Sequence, residues 1–124
     1  HRDLHSFPTR RSSDLFGGET TVKMTGKGEG GRNQHLALLC ARLLEENPGI
    51  TILCGGTDGS DGPTKAAGAI VDSDTMIAVY NKNLDIHEYI NEFNSYNFFR
   101  KISGHIVTGP TMTNVMDMVV LIVD

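Results

Sequence analysis

The sequence lacks tryptophan and has only two cysteines and four prolines among its 124 residues. It also lacks an excess of positive charge: 11 lysines and arginines stand against 15 aspartates and glutamates, a formal net charge of −4. Domains that bind nucleic acid are commonly basic, so the charge argues against a nucleic-acid partner. The longest apolar run, residues 118–123, is far shorter than the roughly 20 residues of a membrane-spanning helix. We therefore expect no membrane partner.

The two cysteines, Cys40 and Cys54, form neither a C-x-x-C motif nor a disulfide framework. Cys40 lies in a helical pattern and Cys54 ends an apolar run. Free cysteines in such positions behave as small buried hydrophobic residues in a reducing compartment. This usage predicts a cytoplasmic protein in which neither thiol has a metal or redox role.

The first 15 residues differ from the rest of the chain, because they show no hydrophobic period and are rich in serine, arginine and histidine. Residues 6–15, SFPTRRSSDL, resemble the conceptual translation of a sequencing adapter. A basic arm or a transit peptide is the alternative. The adapter interpretation predicts that residues 1–15 are not part of the fold, that residues 16–124 form the domain, and that the natural protein extends upstream of Gly17.

A glycine-rich loop, residues 26–31, runs directly into an apolar segment with helical spacing. The pattern predicts a helix over residues 31–46 with Arg32 at its start. The predicted apolar stripe of this helix comprises Leu36, Leu39, Cys40 and Leu43. Unpaired N–H groups and the helix dipole favour an anion at such a start, and arginine offers a planar fork for phosphate or carboxylate. We therefore predict an anion site at this junction.

The same loop satisfies G-x-G-x-x-G at Gly26, Gly28 and Gly31, which is also typical of dinucleotide sites. That fingerprint requires an acidic residue at the end of the following strand. Here the first acidic residue after that strand is Asp58, inside another loop. A dinucleotide site and a plain tight turn are both weaker interpretations than an anion site that uses Arg32.

The remaining patterns predict short strands and helices in alternation. Strands are predicted at residues 20–25, 50–54, 69–71, 105–108 and 115–123, and further helices at 75–82, 85–93 and 96–102. Strands 50–54 and 115–123 lack polar alternation, which is typical of parallel strands covered on both faces. A strand–helix–strand unit is usually parallel and right-handed. We therefore predict an α/β fold with a layered mixed, mostly parallel sheet flanked by helices.

Two further loops carry polar groups that suit a ligand. Asp58 and Asp61 lie in TDGSDGPT, where two carboxylates could hold a divalent cation or simply bond to the backbone of their own turn. TGPTMTN, residues 108–114, offers hydroxyl, amide and backbone N–H groups for a phosphate or a sugar acid, or forms a plain turn. His35, His87 and His105 show no metal-ligand spacing.

Three separated stretches together resemble one family. They are GGETTVKMTGKGEGGRNQ, GTDGSDGPTKAAGAIVD and TGPTMTNVMDMVVLIV, in this order along residues 17–124. They are similar to hallmark segments of the class II glycerate 2-kinases, in the carboxyl-terminal domain known as the MOFRL domain. Members of this family are often labelled hydroxypyruvate reductase or TtuD-like.

The resemblance implies a two-domain kinase that moves phosphate from ATP to D-glycerate and makes 2-phosphoglycerate with Mg²⁺. The amino-terminal domain, which is absent from this chain, is implied to carry a catalytic lysine and much of the cleft. The family's GGRNQ motif falls on residues 30–34, and its arginine, thought to stabilise the transferred phosphate, falls on Arg32. Substrate or phosphate contacts are expected from Gly28, Gly30, Gly31, Asn33, Gln34, Thr57, Thr64, Thr108, Thr111 and Asn114. Metal contacts are expected from Asp58 and Asp61.

Three residues depart from the family pattern. Met112 replaces the usual glycine of the third motif, His35 stands where an acidic residue is usual, and Glu29 where a basic or small one is frequent. A methionine at a tight turn can change its backbone conformation.

From these motifs we predict the carboxyl-terminal domain of a glycerate 2-kinase, inactive without its amino-terminal domain. A NAD(P)H-dependent hydroxypyruvate reductase and a non-catalytic ligand-binding module are the rival interpretations. A homodimer is an open alternative to a monomer.

Overall fold

In a computed structural model of the chain, residues 12–18 and 26–124 are described. The elements are, in chain order, β1 (Ser12–Gly18), α1 (Arg32–Leu44), β2 (Ile50–Gly56), β3 (Gly68–Val71), α2 (Thr75–Asn81), α3 (Ile86–Asn91), α4 (Ser95–Ile102), β4 (His105–Ile106) and β5 (Asp117–Val123). The predicted strand over residues 20–25 lies outside the described residues. Every other predicted element is present, with ends shifted by a few residues.

The described strands form a five-stranded sheet in the order β1-β5-β2-β3-β4. Each neighbouring pair is antiparallel. The prediction of a mostly parallel sheet is therefore wrong. β2 is followed by a loop that returns the chain antiparallel as β3, and the last strand, β5, inserts between β1 and β2.

The error comes from the apolar runs of β2 and β5, which have no polar alternation. Cross-strand register places Ile52 opposite Leu121, and both pack into the core on the face covered by α1. The opposite face carries Leu53 paired with Val120, which are half-buried. An apolar run thus shows that both faces of a strand carry apolar side chains, but it does not give the direction of the neighbouring strands.

Helix α1 packs against β2 and β3, and the three short helices contact α1 in turn. Its buried apolar residues are Ala37, Leu38, Ala41 and Leu44. The predicted stripe is wrong, because Leu39 and Leu43 are exposed, and Leu36 and Cys40 are only half-buried. The leucines are spread around the helix, so spacing alone selected the wrong face. The face that does pack on the sheet is marked in the sequence mainly by small alanines, Ala37 and Ala41, which are fully buried.

The other helices complete the core with Met76, Val79, Ile86, Phe98 and Phe99. Tyr80, also in α2, is 57% exposed. Cys54 is fully buried, as predicted, while Cys40 is half-buried. Among residues 12–18 and 26–124, no helix combines the length and apolarity that crossing a membrane requires.

Strand β1 includes residues 12–15, the last four of the segment predicted to lie outside the fold. All seven residues of β1 are exposed, and Leu15 is 67% exposed. Among the described strands, β1 pairs with β5 alone and forms an edge of the sheet. Residues 1–11 lie outside the described part, so the domain boundary at residue 16 stays a prediction.

Candidate functional site

The three sequence motifs meet at one end of the sheet. Asp61 of the second motif accepts hydrogen bonds from Asn33 and Gln34 of the first. Thr111 of the third motif donates from its hydroxyl to the Thr57 carbonyl, at 2.5 Å. The second motif therefore lies between the other two and is bonded to both.

Asp61 holds the start of α1. Its Oδ1 accepts from the Asn33 backbone N–H at 3.0 Å and from Asn33 Nδ2 at 3.1 Å. Its Oδ2 accepts from the Gln34 backbone N–H at 2.8 Å and from Gln34 Nε2 at 2.9 Å. Asp61 is 2% exposed. The anion that sits at this helix N-terminus is thus a carboxylate of the protein itself, in the position where a capping side chain acts.

Gly31 makes this arrangement sterically possible. A Cβ atom at Gly31 would lie 2.4 Å from Cγ of Asp61, so any larger residue would displace the carboxylate. Gly28 is also packed against protein: its N–H donates to the Glu92 carbonyl at 2.8 Å. A Cβ at Gly28 would lie 2.3 Å from Cβ of Asn94. The glycines of the first motif thus allow close protein packing, and nothing among these contacts favours a bound dinucleotide.

Arg32 leaves α1 on the side of β5 and forms an ion pair with Asp117. Arg32 Nε lies 2.8 Å from Asp117 Oδ2, and a second guanidinium nitrogen donates to Asp117 Oδ1 at 3.2 Å. The Arg32 side chain is 38% exposed and that of Asp117 is 6% exposed. Sequence reasoning missed Asp117. Its signal is a single acidic residue immediately before the apolar run of β5.

Asn33 and Gln34 are buried, at 1% and 0% exposure. Gln34 Nε2 donates to the Thr64 hydroxyl at 2.9 Å, and Gln34 Oε1 lies 3.1 Å from Nε2 of His105. Because Gln34 is already bonded through both ends of its amide, it connects the β2–β3 loop and strand β4 to α1. The predicted substrate contacts of Asn33, Gln34 and Thr64 are thus at residues that the fold uses internally.

The strand end at Gly56 brings the polar groups together. Gly56 pairs with Asp117 in the β2–β5 register. A Cβ at Gly56 would lie 3.2 Å from Oδ1 of Asp58 and 3.6 Å from Nδ2 of Asn33. Asn33 Nδ2 in turn donates to Asp117 Oδ1 at 3.1 Å. This glycine is therefore surrounded by Asp58, Asn33 and Asp117. Arg32 joins the cluster through its ion pair with Asp117.

The donor set decides how a magnesium ion could be held. Both oxygens of Asp61 already accept two N–H groups each, so the predicted pairing of Asp61 with Asp58 around a metal does not fit. Asp58 Oδ1 accepts from Ser60, and Oδ2 of Asp58 has no hydrogen-bond partner among the described residues. In that same part of the chain, no three histidine, cysteine, aspartate or glutamate side chains cluster as metal ligands would. Asp58 alone fits, because Mg²⁺ is commonly held by one or two carboxylates together with substrate phosphates.

The third motif is tied to the second by its backbone. The Thr111 N–H donates to the Asp58 carbonyl at 3.3 Å, and Val115 N–H donates to the Thr57 hydroxyl at 2.8 Å. Thr108 and Asn114 are exposed. Met112, at the position of the family glycine, keeps a left-handed backbone with φ of 63° and is 96% exposed. The methionine therefore leaves the turn in a conformation that glycine adopts more easily.

A cavity of about 500 Å³ lies between the second and third motifs. It is lined by Asp58, Gly59, Ser60, Thr64, Lys65, Val107, Gly109 and Pro110. Two of these lining residues, Gly59 and Gly109, pack directly against each other, since a Cβ at Gly59 would lie 2.1 Å from the Gly109 carbonyl oxygen. Asp58 borders both this cavity and the polar cluster around Gly56. Asp58 is therefore the residue that the cavity and this polar cluster share.

The other two departures from the family pattern have structural contacts. His35 is buried and stacks on Phe93, with ring centroids 4.4 Å apart. Burial lowers the pKa of His35, which favours the neutral form of the ring. Glu29 bonds to the start of α4, where its carboxylate accepts from Asn97 Nδ2 at 3.3 Å.

The sequence model of the MOFRL family matches residues 13–117 of this chain. The D-glycerate 2-kinase of Thermotoga maritima is 46% identical over 106 residues, which are 86% of this chain and 25% of that protein. The glycerate 2-kinase of Pyrococcus horikoshii is 46% identical over 110 residues, or 88% of this chain and 25% of that protein. The resemblance predicted from the three motifs is confirmed.

The fold is shared with a solved relative. The crystal structure of glycerate kinase from Thermotoga maritima superposes with a TM-score of 0.88 at 43% identity. The matched part is 91% of this chain and 27% of that chain. The chain thus spans about a quarter of the length of the relatives that it matches.

Proposed function

Because this chain belongs to the MOFRL family, we propose that it forms the carboxyl-terminal part of a glycerate 2-kinase. The proposed reaction moves the γ-phosphoryl group of ATP to D-glycerate and yields 2-phosphoglycerate. The relatives named above are glycerate kinases, and their greater length agrees with a further, amino-terminal part that completes the cleft.

One observation supports this proposal most strongly: Arg32 lies where the three motifs meet, at the partly exposed end of a buried polar network. Phosphoryl transfer needs little covalent chemistry from a protein, because positioning and positive charge supply most of the catalysis. A guanidinium group can bond to phosphate oxygens with two parallel N–H groups. Arg32 is accordingly our proposed catalytic residue.

The other residues of the site would position the substrates. Thr108 and Asn114 are exposed residues of the third motif, which lines part of the cavity through Gly109 and Pro110, and they are our proposed contacts to D-glycerate or phosphate. Thr57 and Thr111 hold the second and third motifs together, so their proposed contribution is to fix the shape of the cavity. The proposed contribution of Gly28, Gly30 and Gly31 is steric: without side chains, they let the loop pack closely against the rest of the domain, and this packing would orient Arg32.

Magnesium would be held by Asp58, together with phosphate oxygens of ATP. Bound there, the ion would neutralise charge on the phosphate chain. Asp61 would not bind it, since its carboxylate is the cap of α1.

The half-site proposal is tested by incubating the isolated 124-residue chain with ATP, Mg²⁺ and D-glycerate. We expect no glycerate-dependent release of ADP, because the rest of the cleft is missing. Clear turnover would contradict the proposal. Consumption of NADH with hydroxypyruvate would instead support the reductase, and tight binding of glycerate without chemistry would support a binding module.

The kinase chemistry is tested in a chimera, in which residues 26–124 replace the matching segment of the Thermotoga maritima D-glycerate 2-kinase. The two sequences are 46% identical and the structures superpose with a TM-score of 0.88, so we expect the exchanged segment to fold in its new context. We expect this chimera to form ADP and 2-phosphoglycerate in equal amounts. A different phosphorylated product, identified by ³¹P NMR, would contradict the proposed position of transfer.

A further inference from the structure

We propose that Asp117 is a positioning residue that fixes the guanidinium group of Arg32 for phosphoryl transfer. This inference rests on the proposed function of Arg32. Asp117 lies outside the three motifs' predicted contact residues, and its role follows from its contacts in the folded chain.

The contact between the two side chains is two-pronged. Arg32 Nε donates to Asp117 Oδ2 at 2.8 Å, and a terminal guanidinium nitrogen donates to Oδ1 at 3.2 Å. A planar fork that bonds to both oxygens of a carboxylate is fixed in rotation as well as in distance. The geometry therefore sets the plane of the guanidinium group and not merely its location.

Asp117 is itself held rigidly. It begins β5, which pairs on one side with β1 and on the other with β2. The residues opposite it on the two strands are Gly18 and Gly56. Because neither has a side chain, space remains beside the carboxylate for Arg32. Asn33 Nδ2 completes the arrangement by donating to Asp117 Oδ1 at 3.1 Å.

Asn33 links Asp117 to the cap of α1. The same Nδ2 group that bonds to Asp117 also donates to Asp61 Oδ1 at 3.1 Å. The start of α1 is thus bonded to the second motif through Asp61 and to β5 through Asp117. Arg32 is the first residue of α1. Its backbone is therefore held by the capped helix start, and its side chain is held by Asp117.

Burial distinguishes the two partners of the ion pair. The Asp117 side chain is 6% exposed, whereas that of Arg32 is 38% exposed. The buried carboxylate is suited to serve as an anchor, and the arginine extends from it toward the surface. This asymmetry favours a positioning role for Asp117 over direct contact with a substrate.

The first test uses the intact chain and NMR of the Arg32 Nε–Hε group, whose signal is identified by its loss in R32K. In D117N we expect this proton to exchange with water at least about tenfold faster, because its charged acceptor is gone. The Asn33 and Gln34 backbone N–H groups, bonded to Asp61, should exchange at unchanged rates and so report an intact fold. An unchanged exchange rate at Arg32 Nε would overturn the inference.

The second test is a double-variant cycle in the chimera. We expect R32A to lower kcat about 100-fold and D117N to lower it about tenfold, with KM for D-glycerate changed less than about threefold. R32A/D117N should be no slower than R32A, because a residue that positions Arg32 affects the reaction through Arg32. Multiplied effects in the double variant, or an unchanged kcat in D117N, would overturn the inference.

Should D117N not fold, D117E serves instead. Glutamate keeps the charge but moves the carboxylate by one methylene group, so a positioning role predicts a lower kcat and a purely electrostatic one does not. An unchanged kcat in D117E would overturn the inference. An R32A variant that keeps full kcat would refute the proposed function of Arg32, whereas a failure confined to Asp117 variants refutes the inference alone.

Discussion

At the scale of single residues, two aspartates that look alike in the sequence have different surroundings. Asp61 is buried and accepts four N–H groups from Asn33 and Gln34. Asp58, three residues earlier, accepts hydrogen bonds from Ser60 and lines the cavity. Spacing predicted a loop with two carboxylates, but it could not show that one of them caps a helix 27 to 28 residues away in the sequence.

Asp61→Ala should lower the free energy of unfolding by about 3 kcal/mol or more, since it strands several buried N–H donors. The matched variant Asp58→Ala should lower it by less than about 1 kcal/mol, because that side chain bonds only within its own turn. Urea unfolding of both variants measures the difference. Equal, small effects would show that Asp61 does not stabilise the start of α1.

Met112→Gly should raise the free energy of unfolding by up to about 1 kcal/mol. A side chain at left-handed φ costs about 1–2 kcal/mol, which glycine avoids. Part of this gain, about 0.4–1 kcal/mol, is offset because glycine makes the unfolded chain more flexible. The neighbouring Thr113→Gly, whose φ is not positive, should instead destabilise the protein. Thermal unfolding compares the two, and a loss of stability in both would contradict the strain assigned to Met112.

At the scale of elements, periodicity predicted where α1 lies but not which face it buries. The predicted span was residues 31–46, and the observed helix is Arg32–Leu44. Two features set which side of α1 is buried: the hydrogen bonds from Asn33 and Gln34 to Asp61, and the small alanines that pack against the sheet. These are contacts between distant segments, which a single-segment pattern does not contain.

Leu38→Ala should lower the free energy of unfolding by about 2–5 kcal/mol, because Leu38 is fully buried and its loss leaves a cavity. Leu43→Ala on the same helix should change it by no more than about 0.5 kcal/mol, since Leu43 is 69% exposed. Denaturant unfolding with an unchanged m-value tests this pair. A larger effect at Leu43 would restore the stripe predicted from spacing.

The sheet illustrates the same limit. The strands over residues 50–54 and 69–71 were predicted nearly where β2 and β3 lie. Their antiparallel pairing was not predicted, because an apolar run shows that both faces of a strand carry apolar side chains but not which strand lies beside it or in which direction it runs. The decisive partner of β2 is β5, which follows it by some 60 residues in the sequence.

At the scale of the whole molecule, the motifs predicted from the sequence come together, and they do so through residues that the sequence did not single out. Asp117 pairs with Arg32, and His105 bonds to Gln34. The family resemblance supplied the proposed role of Arg32, while the contacts explain how the fold holds its side chain. The chain spans about a quarter of the length of its relatives, so the proposed chemistry is measured in the chimera as well as in the isolated chain.

The most direct measurement of the central claim is glycerate-dependent ADP formation by the chimera of residues 26–124 with the Thermotoga maritima enzyme, with and without R32A. We predict turnover by the chimera and a kcat about 100-fold lower in R32A, while the isolated chain forms no ADP. A folded chimera without kinase activity, or an R32A variant with unchanged kcat, would contradict the account.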